Sequence, residues 1–258
     1  MRLSLQLQSQ KGSAVPVNYQ YPLSAAIYKI LQKASPDYAA FLHDQGYSAP
    51  SGRLMKLFTF SRLWIPNVRI AGHKLLVGNA GCRLQIGSPM QDEFVQNFVL
   101  GLFESSEIVI GGQGLRAVFQ VEQVEALALP IFQNQMRFKC LSPITASTAV
   151  EQNGRLKIYY YRPHDGQLSE ALRQNLLEKH AVIHGKPPAD SSLTFRLEAQ
   201  DRPKSKLIAI KAGTPAETRI KAFESYFTLQ GSPELMQVAW ECGLGEHNSQ
   251  GFGMVGKV

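Results

Sequence analysis

A chain of 258 residues can bury one large core or two smaller ones, and 44% hydrophobic with 18% charged residues is a folded composition, not a disordered one. Basic side chains outnumber acidic ones, 27 to 20, and the resulting net charge of +7 points toward polyanionic partners. The three cysteines, Cys82, Cys140 and Cys242, are far apart and lack CxxC spacing, which speaks against a disulfide framework or zinc site and fits a reducing cytoplasm.

Strand-like alternation opens the chain, with Leu3, Leu5 and Leu7 on one side and Arg2, Ser4 and Gln6 on the other. That alternation is unlike the unbroken apolar block of a signal peptide, and no later apolar run approaches the roughly 18 residues needed to span a bilayer. Helical spacing follows over 23–34, where Leu23, Ile27, Ile30, Leu31 and Ala34 form a stripe. Ser35-Pro36 starts a second, short helix, serine as N-cap and proline in the first turn, and Gly46 ends it. The segments 55–65 and 81–87 read as strands, Ser88-Pro89 as the start of an amphipathic helix to Ser105, and 107–124 as strand, glycine turn, strand. This is a β-α-β-β-α-β order, the ferredoxin-like unit.

After LALP (127–130) the order recurs less cleanly. Strands are expected at 138–144, 155–161, 192–199, 204–210 and 223–229, with a helix over 169–184. Ser232-Pro233-Glu234 caps a last helix through Trp240, followed by a glycine-rich loop and a final strand. The predicted fold is α+β, two tandem ferredoxin-like, RRM-related domains over residues 1–126 and 131–258. The second half has more strands than the ideal unit.

Charge is unevenly distributed. No acid lies between Asp44 and Asp92, where Arg53, Lys56, Arg62, Arg69, Lys74 and Arg83 all fall. A second acid-free stretch, between Asp201 and Glu217, carries Arg202, Lys204, Lys206 and Lys211. One-signed segments attract polyanions; a basic, solvated face with no partner is the plain alternative.

The terminal loop has the pattern G-x-G-x5-G-x-G, formed by Gly243, Gly245, Gly251 and Gly253. It follows a helix, whereas a dinucleotide fingerprint follows a strand and opens a helix, and no Walker lysine accompanies it. Glycines permit positive φ and let backbone N–H groups face an anion; His247, Asn248, Ser249 and Gln250 add side chains suited to phosphates and base edges. The plain alternative is a loose connector. His180 and His184 have metal-pairing i, i+4 spacing but no third ligand, so a solvated helix face is expected. His43 stands in the last turn of the helix PDYAAFLHD, where the dipole favours imidazolium, and Tyr28 stands on the helix before it. A histidine, a tyrosine and a lysine or arginine suffice to cleave RNA without metal: one group takes the 2′-hydroxyl proton, another protonates the leaving 5′-oxygen, and a cation stabilises the phosphorane.

Taken together these residues resemble the repeat-processing endoribonucleases of CRISPR systems, the sixth Cas family within the RAMP superfamily. GLGEHNSQGFGMV (243–255) is similar to that family's C-terminal signature; AIYKIL (26–31), LHDQGY (42–47), KLFTFSRL (56–63) and LSPI (141–144) match other landmarks in order. The resemblance implies cleavage of precursor CRISPR RNA within its repeats, without metal or cofactor, leaving 5′-hydroxyl and 2′,3′-cyclic phosphate ends. It assigns His43 as general acid or base, Tyr28 as its partner and Lys56, or else Arg53, as the catalytic cation. Arg53, Arg62, Gly243, Gly245, His247, Asn248, Ser249, Gly251 and Gly253 become RNA contacts. His247 departs from the lysine or arginine common at that loop position. Stacking aromatics on the sheet faces are expected, but the sequence does not single them out among Phe58, Phe60, Tyr159 and Tyr161, for which a place in the core is the equal alternative. The implied partner is repeat RNA, as precursor and as mature guide, retained or passed to an interference complex, with no membrane involved. Monomer and homodimer both stay open. The rival reading is a non-cleaving RAMP-type scaffold subunit that grips repeat RNA.

Overall fold

The computed structural model of the chain describes residues 1–10, 12–77 and 81–258. The first half builds on β1 (Arg2–Ser9), α1 (Gln20–Ala34), α2 (Pro36–Asp44), β2 (Thr59–Phe60), β3 (Cys82–Gly87), α3 (Gln96–Ser105), β4 (Glu107–Gly112) and β5 (Leu115–Leu127). Its antiparallel sheet runs β2-β3-β1-β5-β4. Leu5 of β1 faces Leu84 on one neighbour and Val124 on the other, and Leu3, Leu5 and Leu7 are all buried beneath α1 and α3. Gly101 of α3 lets that helix cross α1 closely, since a Cβ there would run into the Ile30 carbonyl.

The second half repeats this plan with β6 (Gln135–Cys140), β7 (Ser147–Gln152), β8 (Arg155–Tyr160), α4 (Leu168–His184), β9 (Leu193–Arg196), β10 (Lys204–Ile210), β11 (Thr218–Glu224), β12 (Tyr226–Gly231), α5 (Pro233–Cys242) and β13 (Val255–Lys257). The sheet order β9-β12-β6-β13 is that of the first sheet without its extra edge strand. The surplus strands are two hairpins, β7 with β8 and β10 with β11, that stand outside the sheet. The chain is thus α+β, with two ferredoxin-like units in tandem.

Several expected elements take another form. The strand expected over 55–65 is broken: Leu54–Met55 pairs with Tyr47–Ser48, Leu57 adopts φ +49°, and pairing resumes at Thr59. The break serves two cores, because Met55 and Leu57 pack into the second half while Phe58 and Phe60 pack into the first. The single strand expected over 223–229 divides at Ser225, between the outer hairpin and the sheet. The helix expected from Ser88-Pro89 opens as a five-residue π turn, Gln91–Val95, and Ser88 instead binds the Leu57 carbonyl and the Met90 amide.

The two halves are joined by a buried cation. Arg2 is 1% exposed, its guanidinium lies 3.5 Å from the centre of the Trp240 ring, and it donates to the Trp240 and Val255 carbonyls. Burial lowers its pKa to about 9, against a smaller opposing effect of Glu241. Among the described residues, no helix is long and apolar enough to cross a membrane.

Candidate active site

Helix α2 presents His43 at its end. Ser35 caps its start, its hydroxyl accepting from the Tyr38 amide at 3.4 Å, and Pro36 fills the first turn. Gly46, at φ +71°, closes it: the Gln45 and Gly46 amides both donate to the Phe41 carbonyl, and a Cβ at Gly46 would sit 2.6 Å from the Met55 carbonyl. The chain then turns through Tyr47–Ser48 and Leu54–Met55, which returns Lys56 to the helix end. Its Nζ donates to the His43 carbonyl at 2.8 Å, a favourable place for a cation beside the last carbonyls of a helix. Burial lowers the Lys56 pKa, partly countered by Asp44.

His43 itself is solvent-exposed. Its Nδ1 is 2.7 Å from the Asp44 carboxylate, an arrangement that fixes Nδ1–H and leaves Nε2 free. The Tyr28 ring, half-buried on α1, meets the His43 ring edge-on at 5.5 Å and Phe58 at 5.7 Å. Burial pushes the Tyr28 phenol up to about 12, with a hydrogen bond to the Ser249 side chain pulling the other way. A phenol held there stays protonated near neutrality and acts as a donor, not a base.

Ser249 belongs to the terminal loop, so that loop touches the pair. The Ser24 hydroxyl donates to the Ser249 carbonyl at 2.6 Å, and the Thr59 hydroxyl to the Phe252 carbonyl at 3.1 Å. Gly243, Gly245, Gly251 and Gly253 all have positive φ and are buried, and Cβ atoms at Gly245 and Gly253 would strike the Thr145 and Leu244 carbonyls. The loop's amides at Gly243, Leu244, Glu246, Gln250, Gly251 and Gly253 donate to protein carbonyls, so three of the four glycines spend their N–H groups inside the fold. They build close packing. Asn248 is likewise turned inward: its amide group donates to the Phe252 carbonyl at 3.1 Å. His247 is the loop's exposed side chain, in the left-handed region at φ +57°, with Nδ1 3.0 Å from Gln250 Oε1.

Sequence reasoning missed Lys179. Its surface is 4% exposed, and its Nζ donates to the Gly243 carbonyl (2.7 Å), the Gly245 carbonyl (2.9 Å) and Asn248 Oδ1 (2.7 Å). Burial lowers its pKa to about 8. The available signal was spacing, since Leu172, Leu176 and Lys179 share one helical stripe.

A cleft of about 310 Å³ lies between the halves here, with Arg53, Lys56, Phe58, Lys179, His247 and Ser249 among its lining. Lys56 joins the cleft to His43. Arg53 crosses it toward Glu178 (3.6 Å) and Glu246 (4.0 Å). Arg62 is elsewhere: it pairs with Glu224 at 3.1 Å and lines a separate groove of about 530 Å³ with Arg83, Lys139 and the exposed Trp64. The basic segment between Asp44 and Asp92 is thus partly matched by acids of the second half.

The other residues weighed in the sequence are placed as follows. Phe58 and Phe60 are fully buried and belong to the core, whereas Tyr159, edge-on to Tyr161 at 5.8 Å, is exposed on the outer hairpin. His180 is not on a solvated face: it is 3% exposed, with Nε2 3.3 Å from Glu234 and Nδ1 3.0 Å from the Lys186 carbonyl. The three cysteines are buried.

Comparison with known proteins gives one consistent result. Residues 14–125 match the family described as CRISPR-associated protein Cas6, N-terminal, and residues 123–256 match CRISPR associated protein Cas6, C-terminal. The CRISPR-associated endoribonuclease Cas6 1 of Methanocaldococcus jannaschii is 33% identical over 260 residues, covering 100% of this chain and 93% of its own. A solved structure from the characterization of a Cas6-related gene from Pyrococcus furiosus superposes with a TM-score of 0.82 at 26% identity, covering 100% of this chain and 98% of that one. Another, described as CRISPR associated protein Cas6, has a TM-score of 0.77 at 31% identity, with 100% and 99% covered. With both parts of the family matched in order and one-third identity along the whole length, the chain belongs to the CRISPR-associated Cas6 family.

Proposed function

We propose that the protein is a cytoplasmic, metal-independent endoribonuclease that cuts precursor CRISPR RNA within its repeats. The 2′-hydroxyl attacks the adjacent phosphorus, the bond to the 5′-oxygen breaks, and the products carry a 2′,3′-cyclic phosphate and a 5′-hydroxyl. The observation that carries this reading is the meeting of Tyr28, His43 and Ser249, drawn from three separate parts of the chain. The name of the Methanocaldococcus jannaschii relative, an endoribonuclease, supports it.

Each residue then has a role that follows from its surroundings. His43 Nε2, left free by the Nδ1 contact to Asp44, takes the 2′-hydroxyl proton or delivers one to the leaving 5′-oxygen. Tyr28 remains a phenol and orients a phosphate oxygen as a donor. Lys56, placed at the end of α2, supplies positive charge to the crowded phosphorane, and Arg53, already engaged by Glu178 and Glu246, grips phosphate across the cleft. His247 contacts RNA from the exposed side of the loop, whose glycines and Asn248 hold its shape. Arg62 binds RNA in the other groove.

Cleavage of a synthetic oligoribonucleotide of the repeat should persist in EDTA and stop when deoxyribose replaces ribose 5′ of the scissile phosphate; continued cutting of the deoxy substrate overturns the mechanism. His43→Ala should lower the single-turnover rate by about 100-fold or more while repeat affinity is kept. If the unaltered protein binds repeat RNA and never cuts it, the scaffold reading replaces this one.

A further inference from the structure

The buried ammonium of Lys179 has three hydrogens and three acceptors, all supplied by the terminal loop: the carbonyls of Gly243 and Gly245 and the side-chain oxygen of Asn248. Desolvating an ammonium is costly, and holding a loop closed would not require a charge there. What three fixed donors add is geometry, since they set the distance between the loop's first glycines and Asn248. The next residue, Ser249, is the one that reaches α1, where its carbonyl accepts from Ser24 and its side chain is hydrogen-bonded to the Tyr28 phenol. Tyr28 in turn meets the His43 ring. A continuous path of polar and ring contacts therefore runs from the interior of the second half to the exposed histidine of the first.

We propose that Lys179 is a positioning residue for the active site: by gathering the terminal loop it seats Ser249 against Tyr28 and so aligns the phenol with His43. This rests on the reading of Tyr28 and His43 as active residues given above. With its three hydrogens spent on the loop, Lys179 acts on the Tyr28–His43 pair through Asn248 and Ser249. The charged and titratable groups around it are Cys242 on α5, Glu246 in the loop and Arg53 from across the cleft.

The test uses the full chain with Lys179→Met, Lys179→Arg and Ser249→Ala, a synthetic oligoribonucleotide of the repeat, and protein carrying a carbon-13 label at tyrosine Cζ. Tyr28→Phe assigns the Tyr28 resonance. Lys179→Met should slow single-turnover cleavage about 100-fold and change repeat affinity by less than about threefold, the split expected when alignment and not grip is lost. The same variant should move the Tyr28 resonance, Ser249→Ala should move it in the same direction, and Lys179→Arg should restore at least about a tenth of the rate, because it keeps charge and donors. Equal losses of rate and affinity, or an unmoved Tyr28 resonance in folded Lys179→Met, overturn the proposal. Should Lys179→Met fail to fold, an unmoved resonance in Ser249→Ala overturns it as well. If the unaltered protein does not cleave RNA, the endoribonuclease reading fails by itself, and the Tyr28 resonance still decides whether Lys179 aligns that side chain.

Discussion

The two halves share a strand order and then use the same stretch of it differently. In the first, the residues between α3 and the strand beside β1 become an extra edge strand, β4, ending in the turn at Gln113-Gly114. In the second, the equivalent residues, 243–254, fold inward around Lys179 and reach across to α1. The first connection meets its hydrogen-bonding needs with a regular ladder, the second with irregular backbone bonds to which the side chains of Lys179, Asn248, Ser24 and Thr59 are added. A ladder is indifferent to side-chain identity, whereas a loop tied by side chains can be placed, and this one ends beside Tyr28 and His43.

Equal substitutions in the two connections should therefore have unequal effects. Gly253→Ala, forced against the Leu244 carbonyl at φ +76°, should destabilise the fold by about 3–5 kcal/mol in denaturant unfolding. Gly114→Ala, at φ +74° but in open space, should cost only about 1 kcal/mol. Similar losses at both would mean that the terminal loop is not closely packed.

Lys179 gives the second connection a pH signature. Its pKa is about 8 in the fold against the ordinary lysine value of 10.5, so below pH 8 both folded and unfolded chains hold the proton and the fold carries the whole desolvation cost. Between pH 8 and 10.5 the folded chain releases the proton while the unfolded one keeps it, so stability attributable to this group rises with pH. The difference in unfolding free energy between the unaltered chain and Lys179→Met should shift in favour of lysine by on the order of 3 kcal/mol across that window. A pH-independent difference would deny the buried charge.

The helix caps offer the gentlest comparison. Ser232, fully buried at the start of α5, accepts from the Leu235 amide at 3.3 Å; Ser35 accepts at 3.4 Å and is only half-buried. Ser232→Ala should cost about 1–2 kcal/mol and Ser35→Ala about 0.5–1 kcal/mol in thermal unfolding, with α5 the more sensitive because no water replaces the lost acceptor.

Much of this fold was legible in the sequence, and where it was not, the causes are local. Apolar spacing marked β1 and α1, and Ser-Pro pairs marked the starts of α2 and α5, because caps and amphipathic stripes act within one element. Leu57 was unreadable, since its positive φ arises where the chain passes from one core to the other, a tertiary circumstance that no local pattern records. The division at Ser225 was hidden because the aromatic-rich stretch FESYFTL reads as one continuous strand. In the site, His43, Tyr28 and Lys56 come from neighbouring stretches of chain, and motif order could single them out. Lys179 could not be found that way: a lysine within LLEKHAVIH reads as solvated, and only the loop folding back over it removes the water. His180 misled in the same direction.

Met55 and Leu57, carried by the first half yet seated in the core of the second, have a consequence for how the chain can be divided. A fragment ending near residue 126 would present those two side chains and Ala49 to water, and its counterpart would hold the cavities they leave. Such fragments are not independent modules but complementary pieces, each a template for the other. Coexpressed, they should reassemble like a split reporter, so that the covalent link between the halves is a convenience of synthesis, whereas the apolar exchange is the true seam.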